Sequence, residues 1–111
     1  MFNRRKMTAQ GRLLAADTTR ALIAAPGVGF RLRIFRVFAS VATVAAQAID
    51  VGVDGGGVGQ QVLSIAASAT IPHHFWCEEG FPLPENTAFS AKPAAAGPAV
   101  QFFVEYIIEK L

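Results

Sequence analysis

The stretch from Phe30 to Phe38 shows the pattern that organises this chain. Phe30, Leu32 and Ile34 fall on one face of an extended segment, and Arg31 and Arg33 fall on the other. That period of two is the mark of a half-buried β-strand. The alternation then breaks: Arg36 lands on the apolar side, while Phe35 and Val37 land on the polar one. One extra residue near Phe35 would restore the register, since a single insertion flips every later side chain. Burial on both faces of the strand is the alternative.

The same period recurs downstream. Residues 47–53 place Ile49, Val51 and Val53 on one side, with Asp50 and Gly52 on the other. Asp54-Gly55-Gly56-Gly57 then reads as a hairpin connection, because glycine accepts positive φ without steric cost. Residues 61–66 form the return strand and residues 70–76 another. Glu79 to Pro84 is expected to be irregular, because its two prolines cannot donate to a ladder. Strands over 87–92 and 100–108 close the chain, separated by the turn-rich residues 93–98.

The final strand is the most sharply patterned. Val100, Phe102, Val104, Tyr106 and Ile108 make one apolar face, about 30 Å long at strand rise. The reverse face carries Gln101, Phe103, Glu105, Ile107 and Glu109, too apolar for open solvent and too charged for a core. It predicts a surface half covered by a neighbouring subunit, with Phe103, Glu105 and Ile107 in the contact and Trp76 as a further anchor.

Upstream of Phe30 the pattern is weaker. Residues 1–12 read as a basic, mobile arm. Residues 11–25 permit a helix through their alanines and leucines, yet Asp17-Thr18-Thr19 favours an extended or turn segment with a short strand over 21–25. Pro26-Gly27-Val28-Gly29 is a turn signal. Seven or eight short strands with turns every 8–12 residues point to a sandwich, jelly roll or small barrel. The expected architecture is one all-β domain, a β-sandwich over residues 13–111, preceded by the arm.

Composition sharpens this picture at two points. The chain has 111 residues, 52% hydrophobic and 16% charged, with nine phenylalanines. A domain of that size has little interior in which to hide such an aromatic load, so some of it is expected in subunit contacts. Cys77 is the only cysteine, which excludes an intrachain disulfide. Arg12, Asp17 and Arg20 interrupt the residues after the basic start, so no signal-peptide apolar region follows. No apolar run approaches the ~18 residues of a spanning helix. The expectation is a protein made in a cytoplasm without a membrane partner.

Charge is divided unevenly. Residues 1–40 hold Arg4, Arg5, Lys6, Arg12, Arg20, Arg31, Arg33 and Arg36 against Asp17 alone, a formal +7. Residues 41–111 hold Lys92 and Lys110 against Asp50, Asp54, Glu78, Glu79, Glu85, Glu105 and Glu109, a formal −5. Such asymmetry speaks to partners rather than to fold. Arg4, Arg5, Lys6 and Arg12 are the candidate contacts, and a basic arm docking on an acidic protein surface fits them better than nucleic acid does. A polyanion would be repelled by the acidic remainder of the chain.

No constellation for catalysis stands out. His73-His74-Phe75-Trp76-Cys77-Glu78 is the one cluster with metal-ligand types, but adjacent strand residues point to opposite faces and no second cluster completes a tetrahedral shell. Ser40, Ser64, Ser68 and Ser90 lack a nucleophile-elbow context. Glu78 and Glu79 are adjacent rather than a spaced acid–base pair. The triple glycine lacks the Lys-Ser/Thr ending of a phosphate loop. The expectation is a non-enzyme with no cofactor and no metal.

One resemblance covers about residues 20–110. A short apolar run, Ala21-Leu22-Ile23-Ala24-Ala25, leads through a glycine turn into the basic strand Arg31-Leu32-Arg33-Ile34-Phe35-Arg36-Val37. A Gly-rich hairpin follows, then Phe75-Trp76, then a Gly/Pro loop into Leu83-Pro84-Glu85-Asn86-Thr87-Ala88, and an aliphatic strand ends the chain. In this order and texture the chain resembles the small jelly-roll decoration, or cement, proteins that coat bacteriophage capsids. The resemblance implies a structural virion protein, trimeric, that binds major capsid subunits and stabilises their junctions. A tail, neck or receptor-binding virion component, or a small nucleic-acid-binding β protein, is the alternative.

Overall fold

The computed structural model describes residues 6–17, 19–45, 48–53, 61–66, 72–93 and 95–111. Among them are eight strands: β1 (Met7–Leu13), β2 (Arg20–Ile23), β3 (Phe30–Thr43), β4 (Ala48–Val53), β5 (Gln61–Ala66), β6 (His73–Pro82), β7 (Phe89–Pro93) and β8 (Ala99–Lys110). They form two four-stranded sheets. The front sheet has the order β1-β8-β3-β6 and the back sheet β2-β7-β4-β5. Every pairing is antiparallel.

The topology is that of one long antiparallel ribbon, pairing β1 with β8, β2 with β7, β3 with β6 and β4 with β5, rolled up so that β3 meets β8 and β4 meets β7. This is a jelly-roll-like β-sandwich, among the architectures that the period-two pattern left open. The two inner faces close over one core. β3 contributes Leu32, Ile34, Val37, Ala39 and Val41, and β8 contributes Val100, Phe102 and Val104. From the back sheet come Ile49, Val51, Ile65, Phe89 and Ala91.

The register break in β3 is a β-bulge. Both of its ladders, to β6 and to β8, shift between Ile34 and Arg36. Phe35 is the extra residue, and beyond it Val37, Ala39 and Val41 regain the core face. Phe35 nonetheless remains 5% exposed, outside the main core, so that the strand is buried on both faces at this one point. On β6 the residues Cys77 to Gly80 lie between the partners of Ile34 and Arg36. Gly80 turns there with φ of +79°.

Several boundaries differ from expectation. β3 runs on to Thr43 because Ala39 and Val41 continue the inward alternation against Phe102 and Val100. β6 extends to Pro82, since the ladder resumes at Phe81 and Pro82 after the bulge. The Glu79–Pro84 segment is therefore strand as far as Pro82. The Asp54–Gly57 hairpin and residues 70 and 71 lie outside the described residues.

The largest difference is at the start. Residues 7–12, expected in a mobile arm, belong to β1, which pairs with β8 from Met7↔Tyr106 to Leu13↔Val100. Its inward positions are Ala9, Gly11 and Leu13, and Gly11 is small for a packing reason. A Cβ at Gly11 would stand 2.7 Å from Leu22 Cδ2, so the Leu22 side chain takes the space that a larger residue would need. A strand with small inner residues lacks the apolar alternation by which the other strands announce themselves.

At one end of the sandwich the Pro26–Gly29 turn is tied to the segment after β6. Asn86 Oδ1 accepts from Gly27 N–H at 3.0 Å, and a Glu85 carboxylate oxygen accepts from Gly29 N–H at 2.9 Å. The Asn86 N–H donates in turn to the Phe30 carbonyl at 2.8 Å. These bonds fix where β3 enters the front sheet.

Candidate partner interface

The outer face of the front sheet carries an unusual set of side chains. Strand register sets them in rows across the order β1-β8-β3-β6. One row reads Thr8, Glu105, Arg36, Trp76; the next reads Gln10, Phe103, Phe38, His74; a third reads Arg12, Gln101, Ser40. Trp76 is 57% exposed and Phe38 42% exposed. The Phe38 and His74 rings sit 6.3 Å apart, tilted by 60°. Gln10, Phe38, Ser40, Gln101, Phe102 and Phe103 line a shallow depression of about 220 Å³.

Arginines border the aromatic rows. Arg36 lies beside Phe38 on the same strand face, and Arg12 lies one row beyond Phe103. Both are exposed, and neither has an ion-pair partner among the described residues. Arginine and aromatic side chains together are the types that dominate protein-binding hot spots. They are also the residues least expected on an idle sheet face.

The upper part of the same face is closed by the chain itself. Glu109 accepts from Arg31 Nε at 2.8 Å and from Arg33 Nε at 2.7 Å. Arg33 Nη1 also donates to the carbonyls of Glu79 and Gly80, at 3.1 and 3.2 Å, pinning the β6 bulge. Burial is the largest single influence on the Glu109 carboxyl and pushes its pKa up. The hydrogen bonds and charges of Arg33 and Arg31 outweigh it and hold the pKa below its ordinary value.

The predicted interface residues divide. Phe103, Glu105 and Trp76 share the outer face of the front sheet. Ile107 does not offer itself to a partner: it is 4% exposed, opposite Arg33 on β3 and covered within its own chain. The sequence reading missed Phe38, His74 and Arg36. Their signal was present, because a bulge at Phe35 turns Arg36, Phe38 and Ser40 outward together.

The basic residues divide as well. Lys6 folds back on its own domain, its Nζ 3.4 Å from Glu105 and 4.5 Å from the centre of the Phe35 ring. Arg12 belongs to β1 rather than to an arm. Arg4 and Arg5 lie outside the described residues. His73 and His74 occupy opposite faces of β6, and among the described residues no three His, Cys, Asp or Glu side chains gather as metal ligands. The His73 Nε2 is buried without a hydrogen-bond partner among those residues.

Two antiparallel sheets packed on one core, with an aromatic outer face left open on the front, define a jelly-roll-like sandwich domain. Neither protein-family models nor curated proteins yield a match. Among solved structures, the fold is similar to a chain of the acidic stable capsid structure of Helicobacter pylori bacteriophage KHP30, with a TM-score of 0.65 and 15% identity over 96% of this chain and 92% of that one. Looser likenesses are to a chain of the cyanophage Pam1 capsid asymmetric unit (TM-score 0.47, 17% identity, 95% and 84% coverage) and to a chain of Bacillus endospore appendages (TM-score 0.46, 17% identity, 100% and 95% coverage).

Proposed function

We propose that this chain is a structural protein of a bacteriophage particle, a non-enzymatic decoration protein that binds capsid subunits and stabilises the head. The observation on the chain that carries the reading is the outer face of the front sheet. Phe38, Trp76 and Phe103 lie there in a folded domain, bordered by Arg36 and Arg12, neither of which has an ion-pair partner among the described residues. The likeness in fold to the KHP30 capsid chain supports the virion setting by analogy, as does the resemblance in sequence texture to cement proteins. The same resemblance favours a trimer. The major capsid protein is the proposed partner, with the virion as the protein's location.

A second reading rests on the same face. Aromatics beside arginines on a sheet can stack the bases of a single nucleic-acid strand. Glu78 and Glu79 stand exposed at the edge of that sheet and Glu105 lies within it, which disfavours a polyanion. Co-sedimentation with intact phage particles at about 150 mM salt separates the two. The proposal expects sedimentation with the particle and a raised particle melting temperature. DNA binding that collapses with salt, without particle binding, would reverse the ranking.

A further inference from the structure

We infer that the free edge of β6 pairs antiparallel with the same edge of a second copy, centred on Trp76, so that two front sheets join into one. β6 is the outermost strand of the front sheet, and among the described residues its backbone ladder runs only to β3. At ten residues it is the longest of the four edge strands, against seven in β1, four in β2 and six in β5. The N–H and C=O groups on its far side are a template for another strand. Residues 73–79 contain no lysine or proline, the residues that commonly blunt such an edge.

The side chains of the edge name its occupant. From His73 the strand reads two imidazoles, then Phe75, Trp76 and Cys77, then two carboxylates. Antiparallel pairing about Trp76 sets His74 opposite Glu78 of the second copy, His73 opposite its Glu79, and Trp76 against Trp76. Each His–Glu contact then occurs twice, as a two-fold interface requires. A shift of two residues either way removes every one of them, so charge selects this register. Acidic side chains usually keep an edge away from its own kind, but here they meet imidazole N–H donors. Neither Glu78 nor Glu79 is in an ion pair among the described residues. His74, Trp76 and Glu78 are exposed and alternate with half-buried His73, Phe75 and Cys77, so the strand stays extended past its last partner on β3 before the bulge. Arg33 Nη1 holds the Glu79 and Gly80 carbonyls, and a backbone fixed in this way loses little freedom on pairing. The new ladder lies in the plane of the sheet and leaves the outer face of both copies open to a capsid partner.

Light scattering and amide exchange of the full chain test the pairing. The parent is expected as a dimer at micromolar concentration, and dilution to the monomer should speed amide exchange over residues 73–79 by roughly tenfold or more. His74→Glu and Glu78→Lys should each shift the chain toward the monomer, with an unchanged circular dichroism spectrum. An equimolar mixture of the two should recover the dimer, because each substituted side chain then meets an opposite charge. Trp76→Cys in a Cys77→Ser background should form a disulfide-linked dimer with oxidised glutathione, since residue 76 faces its own copy. Lys92→Cys in the same background, on the other sheet, should not. A monomeric or trimeric parent, charge variants that assemble like the parent, a mixture no better than its components, or equal linkage at the two cysteine positions would overturn the inference. It stands apart from the proposed function: a dimer that ignores phage particles defeats that reading and leaves this one intact, and a monomer that binds them does the reverse.

Discussion

The stem of Arg33 lies directly on Gly80. A Cβ added at Gly80 would come 2.4 Å from Arg33 Cγ and 2.6 Å from its Cδ, and would meet the Phe35 ring at 2.9 Å. The two bulges, at Phe35 on β3 and at Cys77–Gly80 on β6, are thus fitted to each other. The backbone at Gly80, with φ of +79°, also disfavours any side chain.

Replacement of that glycine tests the fit. Gly80→Ala should destabilise the fold by about 1–3 kcal/mol, from backbone strain and from overpacking against Arg33. Urea denaturation should show a lower midpoint with an unchanged slope. A midpoint equal to the parent's would mean that the bulge relaxes freely.

The Glu109 clamp sets a pH dependence. Its folded pKa is lowered, so its stabilisation is fully present above the ordinary carboxyl value of 4.5 and is lost as pH falls through the depressed folded value. Glu109→Gln should cost about 1–3 kcal/mol at neutral pH. The gap between parent and variant should close as the pH is lowered well below 4.5. Thermal melts across that range would show it, and a gap independent of pH would contradict the clamp.

Ile107 and Phe103 occupy the same strand face but should respond oppositely to a charge. Ile107→Asp buries a carboxylate within the chain and should destabilise folding by roughly 3 kcal/mol or more. Phe103→Asp should leave folding nearly intact and weaken particle binding instead. Circular dichroism melts beside co-sedimentation with phage particles separate the two effects. Equal losses of stability would remove Phe103 from the interface.

The small inner face of β1 makes a further prediction. Gly11→Val would push a branched side chain into Leu22 and should loosen β1 from the sandwich, at a cost of about 1–3 kcal/mol. Amide exchange should quicken over Met7–Leu13 while the β3–β8 ladder stays protected. For the same reason, deletion of residues 1–12 removes nearly a whole strand and should destabilise the domain. Deletion of residues 1–5 alone is the fair test of whether Arg4 and Arg5 bind a partner, and particle binding should fall without loss of stability.

Period-two alternation was enough to specify strands β3, β4 and β8, the all-β class and the core residues Leu32, Ile34, Val100, Phe102 and Val104. That pattern follows from backbone geometry alone, because successive side chains of a strand must face opposite ways. The register break at Phe35 was visible for the same reason. What the sequence could not set was whatever depends on two segments meeting. β1 was hidden because two of its inner positions, Ala9 and Gly11, are small, and at Gly11 the space is taken by Leu22 from another strand. Ile107 read as a subunit-contact residue, yet the sheet places it opposite Arg33 within the part of that face covered by its own chain. Lys6 read as a free arm cation until β1 paired with β8 and brought it to Glu105 and Phe35. The joining of Phe38, His74 and Trp76 into one exposed patch likewise required the β3–β6 register, which local periodicity does not encode. Alternation fixes which way a side chain points; only tertiary pairing decides what it meets there, because neighbours across a sheet come from distant parts of the chain.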